Sequence, residues 1–140
     1  MTALDILSAA ANVATAIGVG VAAWQLFFAR RQATTSFEDS LTSQYRTLIE
    51  RIPMQALLGE PMNAQDLQGL LPHFYRYFDL CNEQAFLHKN GRVSKETWEN
   101  WKDGMLSNLQ RPAFGSAWSE VARRAPNDFD HLRELCPPLP

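Results

Sequence analysis

From Ile6 to Ala29 the chain runs through 24 residues without a charged side chain, and beyond Arg30 apolar residues recur at steps of three and four. The first pattern is that of a helix apolar on every side, the second that of amphipathic helices sharing a core. At ~1.5 Å rise per residue the uncharged run exceeds a hydrocarbon thickness of ~30 Å, so a transmembrane helix is expected. Ala dominates it, and Ser8, Asn12, Thr15 and Gln25 interrupt the larger apolar residues. Trp24, Phe27 and Phe28 gather at the end that meets Arg30 and Arg31, as an aromatic interfacial belt followed by basic residues would. No Lys or Arg precedes the run, so the expected orientation leaves the N-terminus outside and residues 30–140 in the cytoplasm. A cleaved secretory signal fits less well, because the basic leader and short apolar stretch it needs are missing. A buried helix of a soluble bundle is the other rival.

Ala10, Ala14, Gly18 and Ala22 fall at every fourth position of this segment, and Ser8, Asn12, Ala16 and Gly20 form a second row beside them. Small residues let two helix backbones approach closely, so this face is the candidate surface for transmembrane association. Such rows also arise by chance in Ala-rich membrane helices.

Downstream, Ser36 and Asp39 read as a capping box, so a new helix or a kink is expected after Thr34 and Thr35. Leu41, Tyr45, Leu48 and Ile52 give that helix one apolar face, and Pro53 stops it. The same register carried backward puts Glu38 and Arg31 on the apolar seam, which argues for a joint rather than one continuous coiled coil. Residues 53–72 hold Pro53, Gly59, Pro61, Gly69 and Pro72 among leucines and read as a connector of short turns.

A central helix is expected from Pro72, suited to a first turn, to Gly91, suited to a C-cap. Ser94 caps the next helix, with Trp98, Trp101, Met105 and Leu109 in one stripe. Pro112 opens another with Phe114, Trp118, Val121 and Ala122 inward, and Asn127 with Asp130 is expected to cap a last short one. The fold class is therefore all-α. Residues 1–33 form a transmembrane anchor, and residues 34–140 form a helical bundle of about five helices, large enough to bury a core without metal or disulfide support.

Composition adds constraints on partners. The 140 residues include 13 Lys+Arg and 15 Asp+Glu, a balance that disfavours nucleic-acid binding. Residues 1–29 hold a single charge, Asp5. Cys81 and Cys136 match neither a zinc spacing nor a Cys-x-x-Cys pair and read as free thiols. Cys81 and His88 lie two turns apart on one helix face, ~10 Å, too far for a thiolate-imidazole pair. His73 and His131 have no metal-ligand spacing. Asp79 and Glu83, at i and i+4, are candidates for acid-base work, against a plainer reading as a polar edge with Arg76. Asn82 reads as a polar residue that fixes helix packing through an unnamed partner. Trp98, Trp101, Met105 and Trp118 could line an aromatic ligand box, although that spacing suits a core better. No phosphate-binding loop or nucleophile elbow occurs, so no catalytic residue, cofactor or metal is assigned.

The run from Phe74 through Cys81, Asn90 and Gly91 to Ser94, followed by Trp98, Trp101 and Phe114 to Trp118, resembles uncharacterised bacterial single-pass membrane proteins with a compact helical cytosolic domain. The resemblance spans architecture and aromatic positions along the chain. It implies a bacterial inner-membrane location and gives no residue a role. The function expected from the sequence is a non-catalytic, membrane-anchored interaction module whose partners are the bilayer and a protein or a second copy. The alternatives are a membrane-perturbing effector of a stress or phage-defence system and an enzyme using Asp79 and Glu83.

Overall fold

The computed structural model describes residues 2–138. Among these there are six α-helices and no strand: α1 (Ala3–Ile49), α2 (Met54–Leu57), α3 (Ala64–Lys89), α4 (Lys95–Leu109), α5 (Pro112–Arg124) and α6 (Asp130–Leu135). The chain divides into two compact units, one ending at Ser36 and one beginning at Phe37.

The first unit is helix alone. At its start the Thr2 hydroxyl accepts the Asp5 N–H at 3.3 Å, and the Asp5 carboxylate accepts the Thr2 N–H at 2.7 Å. This satisfies donors that a helix N-terminus leaves free. The break expected at Ser36 is absent. The Thr34 and Thr35 hydroxyls donate to the carbonyls of Arg30 and Arg31 one turn back, at 3.2 and 3.1 Å, so helical pairing runs through the polar stretch and Ser36 caps nothing.

In the second unit α3 is central and packs against α4, α5 and α6. Its Phe74 meets Phe114 of α5 edge to face at 5.1 Å, and its Phe78 meets Trp118 at 5.2 Å. Tyr77, Phe74, Phe78, Phe114 and Leu132 are the largest fully buried side chains. Aromatic edge-to-face pairs each add ~0.5–1.5 kcal/mol beyond their buried area.

Helix α3 starts eight residues before the expected Pro72. Asn63 is its N-cap: its side-chain oxygen accepts the Asp66 N–H at 2.8 Å while its amide donates to the Asp66 carboxylate at 2.6 Å. Pro72 then sits inside the helix, exposed, where it forgoes one backbone bond. Leu67, Leu70 and Leu71 pack against the core on this added stretch and offset that loss.

The other end of α3 is as expected. Gly91 has φ +66°, its N–H donates to His88 O at 2.9 Å, and the Arg92 N–H donates to Leu87 O at 3.0 Å. This is the Schellman closure that needs a left-handed residue. Ser94 caps α4, its hydroxyl accepting the Thr97 N–H at 3.3 Å.

Helix α6 is not capped by Asn127. Its N-cap is Phe129, the one non-Gly residue with positive φ among those described. The Phe129 ring is buried between Tyr75, at 5.1 Å, and Trp118, at 5.8 Å. Aromatic packing therefore sets this backbone, and the free N–H groups of α6 find their acceptor on another helix.

Candidate functional site

That acceptor is Asn82 of α3. Its side-chain oxygen takes the backbone N–H groups of His131, at 3.0 Å, and Leu132, at 3.1 Å. The partner that the sequence could not name is thus the first turn of α6. Two orphan donors are satisfied from 49 and 50 residues away.

A second tertiary cap joins the last part of α1 to α4. Glu38 is buried at 9% exposure, and its carboxylate accepts the Ser94 N–H at 2.6 Å and the Thr97 hydroxyl at 2.7 Å. Burial pushes its pKa up, but the Ser94 N–H, the Thr97 hydroxyl and the Ser94 hydroxyl together hold it below the usual carboxylate value. The acidic residue on the apolar seam is the anchor of that seam.

Between these elements lies a cavity of about 270 Å³, lined by the end of α1, the middle of α3 and one face of α4. Tyr45, Tyr77 and Trp101 give it aromatic walls, and Cys81 and Met105 give it a soft apolar floor. Tyr77 is held in place from behind, since Asn108 donates to its hydroxyl at 2.9 Å and Arg111 donates to Asn108 at 2.6 Å. Burial pushes the Cys81 thiol up to about 12, so the thiol is protonated at neutral pH.

Gln84 also lines this cavity. The residue is 3% exposed, and its amide, which has no protein hydrogen-bond partner among the described residues, keeps access to the space of the cavity. Thr42 and Asn100 add polar groups nearer the mouth, and no lining residue is charged. Gly104 completes the mouth. It is exposed in the middle of α4, and a Cβ built there meets no heavy atom within 4 Å. Gly in a helix interior costs ~1 kcal/mol relative to Ala, so α4 forgoes stability where the cavity opens.

The aromatic box suggested by the sequence is only half assembled. Trp101 and Met105 face the cavity, but Trp98 stacks on His88 at 4.4 Å and Trp118 lies in the α3–α5–α6 core. Tyr45, Gln84 and Gly104 are lining residues that sequence reasoning missed. A glycine between Trp101 and Met105 was the available signal.

The carboxylates are placed differently. Asp79 and Glu83 are exposed on α3, and no ion pair joins Asp79 to Arg76. Asp79 borders a shallow polar hollow with Asn82, Asp128 and Asp130, beside which the His131 Nδ1 is buried without a hydrogen-bond partner. Among the described residues no three His, Cys, Asp or Glu side chains gather to hold a metal ion.

The candidate membrane residues all lie in the first unit. Ala10, Ala14, Gly18 and Ala22 are exposed, and a Cβ at Gly18 or Gly20 meets nothing within 4 Å. Trp24 packs edge to face on Phe28 at 4.8 Å, and Phe27 on Phe28 at 5.8 Å, one turn before the exposed Arg30 and Arg31. The helix is long and apolar enough to cross a membrane, and none of its apolar window is buried. Comparison with known proteins adds nothing to this geometry: no family model, no curated protein and no solved structure matches the chain.

Proposed function

We propose that the protein is a membrane-anchored helical interaction module, held in a bacterial inner membrane by residues 6–29 with residues 30–140 in the cytoplasm. One observation carries the reading. Leu4, Ile6, Leu7, Val13, Ile17 and Val19, then Val21, Trp24, Leu26, Phe27 and Phe28, are all exposed on one helix. An apolar surface of that length on every side is stable in lipid and not in water. The Trp24, Phe27 and Phe28 cluster beside Arg30 and Arg31 supports an interface at that end, on the cytoplasmic side. The face of Ala10, Ala14, Gly18 and Ala22 is where a second helix would approach. The domain from Phe37 onward carries the contacts to a protein partner, and no residue in it is given a catalytic role.

Alkaline carbonate extraction of membranes carrying the full chain tests the anchor, alongside a chain beginning at Thr34. Retention of the first and release of the second is expected. Release of the full chain would return residues 6–29 to the role of a soluble helix and end the proposal. Labelling of single cysteines placed at Thr2 and at Glu96 from outside intact cells checks the orientation, with only the first expected to react.

A further inference from the structure

We infer that the cavity among the end of α1, α3 and α4 is a binding site for a small, neutral, flat molecule with an amide-like edge. Three observations converge on it. Its walls are the rings of Tyr45, Tyr77 and Trp101, which favour an aromatic guest by stacking and edge contacts. Its lining has no charge, so a charged guest would be desolvated without compensation. Gln84, 3% exposed, presents an amide with no protein partner to this space.

That amide faces the accessible space of the cavity rather than another protein group, and it is matched by a guest that both donates to and accepts from it. A lactam or a ring-fused amide does so with two parallel hydrogen bonds. The size agrees: about 270 Å³ is well above the ~150 Å³ that accommodates benzene and at the lower end of small-molecule pockets. Gly104 supplies the entrance, because any side chain there would project into open space at the mouth. The site lies wholly within the unit that begins at Phe37, and its occupancy does not depend on the proposed anchor.

The test is calorimetric titration of the full-length protein in detergent micelles with neutral bicyclic and tricyclic lactams (2-quinolinone, 1-isoquinolinone, phenanthridinone). Naphthalene serves as the guest without an amide edge. The Gly104→Leu protein, checked for helicity and an undiminished Tm, is the blank for partitioning into micelles. Saturable binding of at least one lactam above that blank is expected, about tenfold tighter than naphthalene. Gln84→Leu is expected to bring the lactam down to the naphthalene level. If Gln84→Leu does not fold, the comparison of lactam with naphthalene and the Gly104→Leu blank decide alone. No saturable binding by any lactam, as for a cavity that holds only water, would overturn the inference. So would binding that Gly104→Leu leaves intact, or affinity for naphthalene equal to that for the lactam.

Discussion

The Glu38 carboxylate accepts the Ser94 backbone N–H at 2.6 Å, across 56 residues of sequence, and so the end of α1 is fixed to the start of α4 by a helix cap supplied from outside that helix. Removing it by Glu38→Ala leaves the Ser94 N–H and the Thr97 hydroxyl without that acceptor. A loss of ~1.5–3 kcal/mol is expected, the range for hydrogen bonds to a charged group. Chemical denaturation of the two proteins checks it.

The same carboxylate makes stability depend on pH in a defined direction. Its folded-state pKa lies below the ordinary 4.5, so as pH falls the unfolded chain takes up the proton first. The stabilisation is complete above that value and is lost as pH falls through it towards the folded-state pKa. The Tm difference between the natural protein and Glu38→Gln is therefore expected to be largest at neutral pH and to shrink below about pH 4.5. A difference that grew on acidification would contradict this assignment.

Asn82→Ala strips the acceptor from the His131 and Leu132 N–H groups. A cost of ~1–3 kcal/mol is expected. Its specific signature is faster hydrogen exchange at those two amides, with the amides of α4 unchanged.

Gly91→Ala forces a Cβ into the left-handed region at φ +66°. About 1 kcal/mol of destabilisation is expected, although the added methyl meets no neighbour within 4 Å. Thermal unfolding is sufficient to see it.

Gly18→Leu places bulk on the small-residue face of the apolar helix. Weaker self-association in membranes is expected, read by energy transfer between labelled copies, with membrane retention unchanged. Equal association would remove that face from the proposal.

Much of this fold was legible because local signals agreed with packing. Gly91, Ser94 and Pro112 mark helix boundaries in the sequence and do so in the structure. The failures share one physical cause, which is that long-range contacts outweighed local punctuation. Pro72 looked like a start, but leucines upstream bury against the core and Asn63 caps the helix earlier. Asn127 looked like a cap, but the Phe129 ring sets the turn and Asn82 reaches across from α3. Ser36 looked like a break, but the threonines before it bond back to their own helix. Of the cavity, Trp101 and Met105 could be read from helical spacing, whereas Gln84 looked like one more polar residue on a helix. Its place in the cavity wall exists only once α1 and α4 close around it.

The Glu38 cap also fixes an order of events during synthesis. Thr97 leaves the ribosome 59 residues after Glu38, so the whole uncharged run is made and released well before the domain can close. During that interval Leu41, Tyr45 and Leu48 have no core to join, and an N-terminal helix reaches any surface that will accept it while its own domain is still unfinished. Translation arrested before Ser94 would therefore give a chain whose α1 lacks both donors of its tertiary clasp, the Ser94 N–H and the Thr97 hydroxyl. In such nascent chains a protease is expected to cut between Phe37 and Ile49, and to spare that stretch once α4 has emerged.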